Sequence, residues 1–167
     1  EQFAAHGRDG RMRRSYQALV WGTPLPGVGK VEAAIARAPN NRKKMAVSKH
    51  ESARHAVTHY QARESFIGGQ VSHVACHLET GRTHQIRVHM AHIGHPVLGD
   101  GVYGAGMKSR TRHLDDAATA ALTALERQAL HAQLLGFEHP ATGEAMTFEA
   151  SLPDDLARLL TALENTR

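Results

Sequence analysis

Cysteine is nearly absent from this chain: Cys76 stands alone among 167 residues. That excludes an intrachain disulfide and any thiolate-rich zinc site. Cys76 lies in the alternating stretch VSHVACHLE and reads as a small buried residue in a protein of a reducing compartment, so a cytoplasmic location is expected. No apolar run approaches the roughly 18 residues of a membrane helix. The opening residues show no charged-then-apolar leader, and a membrane partner is not expected. Several chemical signatures are also missing. There is no H-E-x-x-H, no G-x-S-x-G elbow, and the glycine-rich stretch Val97 to Gly106 fits neither standard phosphate-loop spacing. A metalloprotease, a serine hydrolase and a nucleotide-loop enzyme are therefore poor readings.

What is present is basic charge and histidine. Lys and Arg number 20 against 16 Asp and Glu, a net charge of +4, and 13 histidines can add charge beside an anion. The balance suits a polyanionic partner. At this length the chain is expected to form one domain over residues 1–167, burying about two-thirds of its unfolded surface. The first residues, EQFAAHGRDG, lack an initiator Met and read as the end of a helix stopped at Gly7, so the chain is expected to be part of something longer.

Taken in order, Arg11 to Gly22 alternates with apolar residues on both faces, the pattern of a central strand. Two prolines and three glycines then make Gly22 to Gly29 a loop, followed by a weak strand from Lys30 to about Ala36. Arg42, Lys43 and Lys44 form a basic cluster that reads as a solvated or phosphate-contacting loop. Met45 to Ser48 and Arg54 to Phe66 look like the two arms of a hairpin, and Gln70 to Glu79 like a period-two strand. Asp115 to Leu130 is Ala- and Leu-rich with acids at its start, a helix. His131 to Glu138 and Glu144 to Ala150 flank the turn HPATG as a second hairpin, and Pro153-Asp154-Asp155 opens a last helix with a leucine face.

The densest chemistry lies in Leu78 to Gly104, LETGRTHQIRVHMAHIGHPVLGDGVYG. Thr83 is placed to cap a helix whose apolar positions Ile86, Met90 and Ile93 share one face, and Gly94 with His95-Pro96 ends it. Arg87 stands next to the first apolar position, so its stem follows the core while its guanidinium reaches a cleft. Arg82, His84, Gln85, His89, His92 and His95 crowd around it. The histidine spacing invites a zinc reading, but the lone cysteine and missing zinc signature favour structural or ligand-facing roles, and no metal is expected. Tyr16, preceded by Arg13 and Arg14, reads as an ordinary sheet aromatic, and the basic entry together with Arg87 makes a nucleic-acid partner worth testing.

That central stretch closely resembles the core motif of the RluA-like pseudouridine synthases, which isomerise uridine in ribosomal or transfer RNA. RRSYQALVWG resembles the family's basic-x-Tyr strand, with Arg14 where lysine is commoner, and ARHAVTHYQ, LHAQLLGFEHPATGE and FEASLPDD also resemble family segments. The resemblance implies an α+β domain on a curved, mainly antiparallel mixed sheet with flanking helices and an RNA cleft. It implies a redox-neutral isomerisation without cofactor, on ribosomal RNA ahead of transfer RNA, by a monomer. It assigns Tyr16 to the tyrosine that packs on the target base and Arg87 to the arginine that pairs with the catalytic aspartate. Arg14, Arg42, Lys43, Lys44, Arg82, His84, Gln85 and His89 become RNA-binding candidates.

The family's aspartate lies in an H-R-L-D motif before the tyrosine strand, and nothing before Tyr16 here contains it. Arg112-His113-Leu114-Asp115 comes after the central motif, and Asp115 reads as a helix-start acid. Asp9 falls in a loop and Asp100 in the family's Gly-Asp connection. The expectation is the C-terminal portion of a catalytic domain, inactive alone. The competing expectation is a non-catalytic RNA-binding remnant of the same fold.

Overall fold

The structure, a computed structural model, describes residues 12–39 and 41–166, without the side chains of Arg42, Lys43 and Lys108. The helix end expected at Gly7 lies outside the described residues. Among these described residues, eight strands and three α-helices follow in chain order: β1 (Arg13–Trp21), β2 (Val28–Glu32), β3 (Ile35–Ala38), β4 (Asn41–Val47), β5 (Val57–Phe66), β6 (Val71–Leu78), α1 (Gln85–His92), α2 (Asp116–Leu125), β7 (Leu130–Glu138), β8 (Ala145–Glu149) and α3 (Asp154–Asn165). A 3-10 segment, Ala105–His113, lies between α1 and α2. No helix among the described residues is long and apolar enough to cross a membrane.

Six strands form one antiparallel sheet in the order β2-β5-β6-β1-β7-β8, with helices against it. This is the α+β antiparallel architecture expected from the sequence. β1 is central, paired with β6 on one side and β7 on the other. Its second half, Ala18 to Trp21, is buried on both faces, as its unbroken apolar run requires. The leucines of α3, Leu156 and Leu160, sit over Leu19 and His73 on one face. On the other face Ile86 of α1 meets the row that includes Tyr16, Leu78 and Leu130. Burying Leu156, Leu159 and Leu163 fixes α3 and contributes about 1.5–3 kcal/mol per side chain.

One expected pairing is wrong. β4 pairs with β3 in a separate two-stranded sheet, whereas β5 pairs with β2 and β6. Met45 to Ser48 and Arg54 to Phe66 are therefore not two arms of one hairpin. The basic cluster Arg42-Lys43-Lys44, expected in a loop, lies within strand β4. The weak strand from Lys30 is two short strands, β2 and β3, divided between the two sheets. The second hairpin, β7 with β8, forms as expected.

Candidate active site in the cleft beside the central strand

The turn Thr80 to His84 is held by one side chain, Gln85. Its Oε1 accepts from the Thr80 hydroxyl at 2.8 Å and from the Arg82 amide at 2.9 Å. Its Nε2 donates to the Val57 carbonyl at 2.9 Å and the Thr58 hydroxyl at 3.0 Å. Thr58 in turn contacts His89 Nδ1 at 2.9 Å, and His89 Nε2 contacts the Ala33 carbonyl at 2.9 Å. A neutral His89 satisfies every group: Nε2–H donates to Ala33 and Nδ1 accepts from Thr58. Burial, the main cause, lowers the His89 pKa and favours that form. The network clamps α1 onto β5 through buried, fully paired polar groups.

One sequence expectation is corrected here, and two candidate RNA-binding residues turn out to be enclosed. Gln85 and His89 are 2% and 0% exposed, with their polar atoms bonded inside the fold, although Gln85 also lines the cleft described below. Thr83 does not cap α1. The N-cap is His84, in the left-handed region at φ 56°, with no side-chain cap. The three spaced histidines go three ways: His89 inward, His92 to solvent, and His95 to the Trp21 carbonyl at 2.9 Å. Among the described residues no group of three or more His, Cys, Asp or Glu is arranged to hold a metal ion. Cys76 is buried in the sheet, and burial pushes its thiol up to about 12, so it stays protonated at neutral pH.

Arg87, one residue past Ile86, emerges at the edge of the helix with its side chain 12% exposed. Its Nε donates to Asp100 Oδ2 at 2.6 Å and its Nη2 to Asp100 Oδ1 at 2.8 Å, a bidentate pair. Asp100 Oδ1 also accepts from the amides of Val102 at 2.9 Å and Tyr103 at 3.0 Å. Burial alone would raise the Asp100 pKa. The Arg87 guanidinium and the two amides outweigh that and hold it below the ordinary carboxylate value. Gly99, at φ 71°, turns the chain so that Asp100 points back to α1. A Cβ there would collide with the Arg127 carbonyl, so both the backbone angle and the space require glycine.

Sequence reasoning seeks the partner of Arg87 upstream and passes Asp100 over as a connection. The available signal was local: an acid flanked by glycines in GDGVYG, the composition of an Asx turn. With Nε and Nη2 held by Asp100, Nη1 makes no hydrogen bond to the described residues. The guanidinium is thus fixed along one edge and open along the other.

A cleft of about 290 Å³ lies beside it, lined by Tyr16, Leu78, Arg82, His84, Gln85, Ile86, Arg87, Gln128 and Leu130. Tyr16 and Arg87, far apart in sequence, therefore face the same space. The register of β1 against β7 shifts between Ser15 and Tyr16, which pair with Leu134 and Ala132, so the extra residue, Gln133, bulges from β7 beside Tyr16. Arg82 lines the same cleft and donates Nε to the His55 carbonyl at 2.9 Å. His84 Nδ1 lies 3.0 Å from the Tyr103 hydroxyl, and burial and the Arg87 charge lower its pKa.

The remaining candidates lie apart. Arg14 lines a neighbouring cleft with Arg13, Ser15, His59, His77 and Glu79. Its Nη2 reaches the Glu79 carbonyl at 3.4 Å, and its buried Nε has no hydrogen-bond partner among the described residues. Lys44 sits 5.4 Å from the centre of the Tyr103 ring. The side chains of Arg42 and Lys43 lie outside the described part. Asp115 caps α2, accepting from the Ala118 amide at 2.8 Å, which is the helix-start role expected of it.

Comparison with known proteins shows what the chain is similar to. Residues 1–92 match the family model described as RNA pseudouridylate synthase. Over 175 aligned residues the chain is 42% identical to RNA pseudouridine synthase 2, chloroplastic, of Oryza sativa subsp. japonica, covering 98% of this chain and 38% of that protein. It is 47% identical over 154 residues to ribosomal large subunit pseudouridine synthase D of Xanthomonas campestris pv. campestris, covering 91% of this chain and 44% of that one. The structure of human RNA pseudouridylate synthase domain containing 4 superimposes with a TM-score of 0.72 at 25% identity, over 98% of this chain and 66% of the human one. The chain thus spans about two-fifths of the length of these curated relatives.

Proposed function

This chain belongs to the RluA-like family of RNA pseudouridine synthases, and from that membership we propose that it forms the C-terminal part of a catalytic domain that isomerises uridine to pseudouridine in RNA. The observation that carries the proposal is the shared cleft of Tyr16 and Arg87, with the guanidinium anchored on Asp100 and open on its other edge. Relatives named for the ribosomal large subunit favour ribosomal RNA over transfer RNA as the substrate.

In this reading the target uridine leaves its stack, at a cost of about a few kcal/mol, and its base packs on the Tyr16 ring. A carboxylate assists departure of N1 from C1′. The base turns, C5 bonds to C1′, the C5 proton leaves and N1 takes one up, so no electron carrier is required. The Tyr16 hydroxyl is the candidate to receive the C5 proton. The open edge of Arg87 would hold the carboxylate ionised and oriented. No H-R-L-D precedes Tyr16 in these 167 residues, so we assign that carboxylate to a segment outside them and expect this chain alone to bind RNA without converting it.

The test is conversion by the full-length protein, followed as tritium released from RNA carrying 5-tritiated uridine. Arg87→Ala abolishes release while RNA binding persists. Arg87→Lys, which keeps a cation on Asp100 without a second hydrogen-bonding edge, is expected to be nearly as inactive. Near-normal turnover in either variant overturns the role of Arg87. A full-length protein that binds RNA and releases no tritium is instead the non-catalytic remnant.

A further inference from the structure

The catalytic reading makes no use of Tyr103, yet Tyr103 contacts Arg87, Asp100 and His84. Its ring packs with Ile35, Ala56 and Val88, and a phenylalanine would fill that space equally well. The hydroxyl is what requires explanation. It accepts a hydrogen bond from the Met45 amide of β4 at 2.9 Å, and it lies 3.0 Å from His84 Nδ1. The Met45 N–H can only donate, so the hydroxyl proton is left for His84, whose ring is kept neutral by burial and by the charge of Arg87. Three segments meet on one oxygen: the hairpin strand, the turn before α1, and the loop carrying Asp100.

The ring makes a second connection. Arg87 Cζ lies 4.9 Å from its centroid and Lys44 Nζ 5.4 Å, so two cations share one π-system. The Tyr103 amide completes the arrangement by donating to Asp100 Oδ1 at 3.0 Å. The Met45–Tyr103 hydrogen bond holds the hairpin, and with it the neighbouring Lys44, against this ring, so that a phosphate neutralising Lys44 changes the field at Arg87 only while the hydroxyl keeps the two cations on the one ring. We infer that Tyr103 is a positioning residue through which the basic hairpin β3–β4 sets the orientation of Arg87. RNA held on the hairpin is thereby coupled to the catalytic guanidinium.

The turnover part of this inference rests on the pseudouridine synthase reading; the docking part does not. In the full-length protein, Tyr103→Phe keeps the ring and removes the oxygen. Amide exchange at Met45 is expected to accelerate about three- to tenfold, the worth of one hydrogen bond, and kcat to fall by a similar factor at unchanged KM. Lys44→Gln, a change on a half-exposed side chain that does not endanger folding, lowers kcat in the parent protein and has little further effect in Tyr103→Phe. Unchanged Met45 exchange overturns the inference, and so do strictly additive effects of the two substitutions. If the full-length protein converts no uridine, the pseudouridine reading fails, and Met45 exchange still decides whether the hydroxyl fastens the hairpin.

Discussion

Asp100 has a fully buried carboxylate that stays ionised only because Arg87 and two backbone amides surround it. Asp100→Ala would strand the guanidinium in a largely dry site. Breaking a buried pair from one side costs about 3–5 kcal/mol, which for a chain of this size lowers the melting temperature by roughly 10 °C. A melting temperature within a degree or two of the parent would show that solvent already screens the pair. Tyr16 tests the chemistry separately from the fold. Tyr16→Phe keeps the stacking ring, so RNA binding should hold while conversion falls by about a hundredfold or more, as loss of a general base requires. Undiminished conversion would leave only the ring with a role. Arg87 and Tyr16 could be put forward as candidates from the sequence because each stands in a distinctive motif. Asp100 could not, because its meaning depends on the Gly99 turn folding it back onto α1, a fact of tertiary structure.

At the scale of elements, α1 is too short to be stable by helix propensity, and no side chain caps its N-terminus. The Gln85 clamp takes over that task by fastening the preceding turn to β5. Gln85→Leu keeps the volume and removes the four hydrogen bonds of the clamp, to the Thr80 hydroxyl, the Arg82 amide, the Val57 carbonyl and the Thr58 hydroxyl; at about 0.5–1.5 kcal/mol net for each, the variant should lose roughly 2–6 kcal/mol in urea unfolding. A loss below about 1 kcal/mol would mean that water replaces the amide. The sequence marked the helix and its glycine stop, with Gly94 at φ 88°, but it pointed to Thr83 as the cap because local rules favour a hydroxyl there. It also located strand-like segments on both sides of residues 48–53 without revealing their partners. Alternation reports a buried face; strand pairing is decided by distant contacts. The outcome matters for function, since Arg42, Lys43 and Lys44 now lie on one strand of a hairpin that meets Tyr103. Neutralising all three should weaken RNA binding and reduce the slope of log K against log salt by about 0.7 to 0.9 for each phosphate the protein no longer neutralises. An unchanged slope would remove the hairpin from the RNA surface.

For the molecule as a whole, the antiparallel α+β class followed from the family resemblance, with which the alternating segments agree, while the strand order β2-β5-β6-β1-β7-β8 could not be read from local pattern. What the assembled fold adds is a pH dependence of stability. His89 is buried between Thr58 and Ala33, and burial lowers its pKa, so the native state keeps it neutral. An unfolded chain protonates the same ring below about pH 6.5. Between the lowered native value and about 6.5 the unfolded state therefore binds more protons, and stability falls as pH falls through that window. His73 adds to the same slope, its pKa lowered chiefly by burial beside Gln17. Asp100 acts lower down: its native value is below the ordinary carboxylate value of about 3.9, so its contribution is complete above that pH and is lost on further acidification. His89→Gln separates the first effect from the second. The variant should be less stable than the parent at pH 7.5, having lost a well-fitted buried ring, and the gap should narrow towards pH 5.5 as the parent begins to lose the advantage of a neutral His89. A gap that stays constant across that range, measured by urea unfolding at each pH, would show that His89 takes up its proton in the native state as readily as in the unfolded chain.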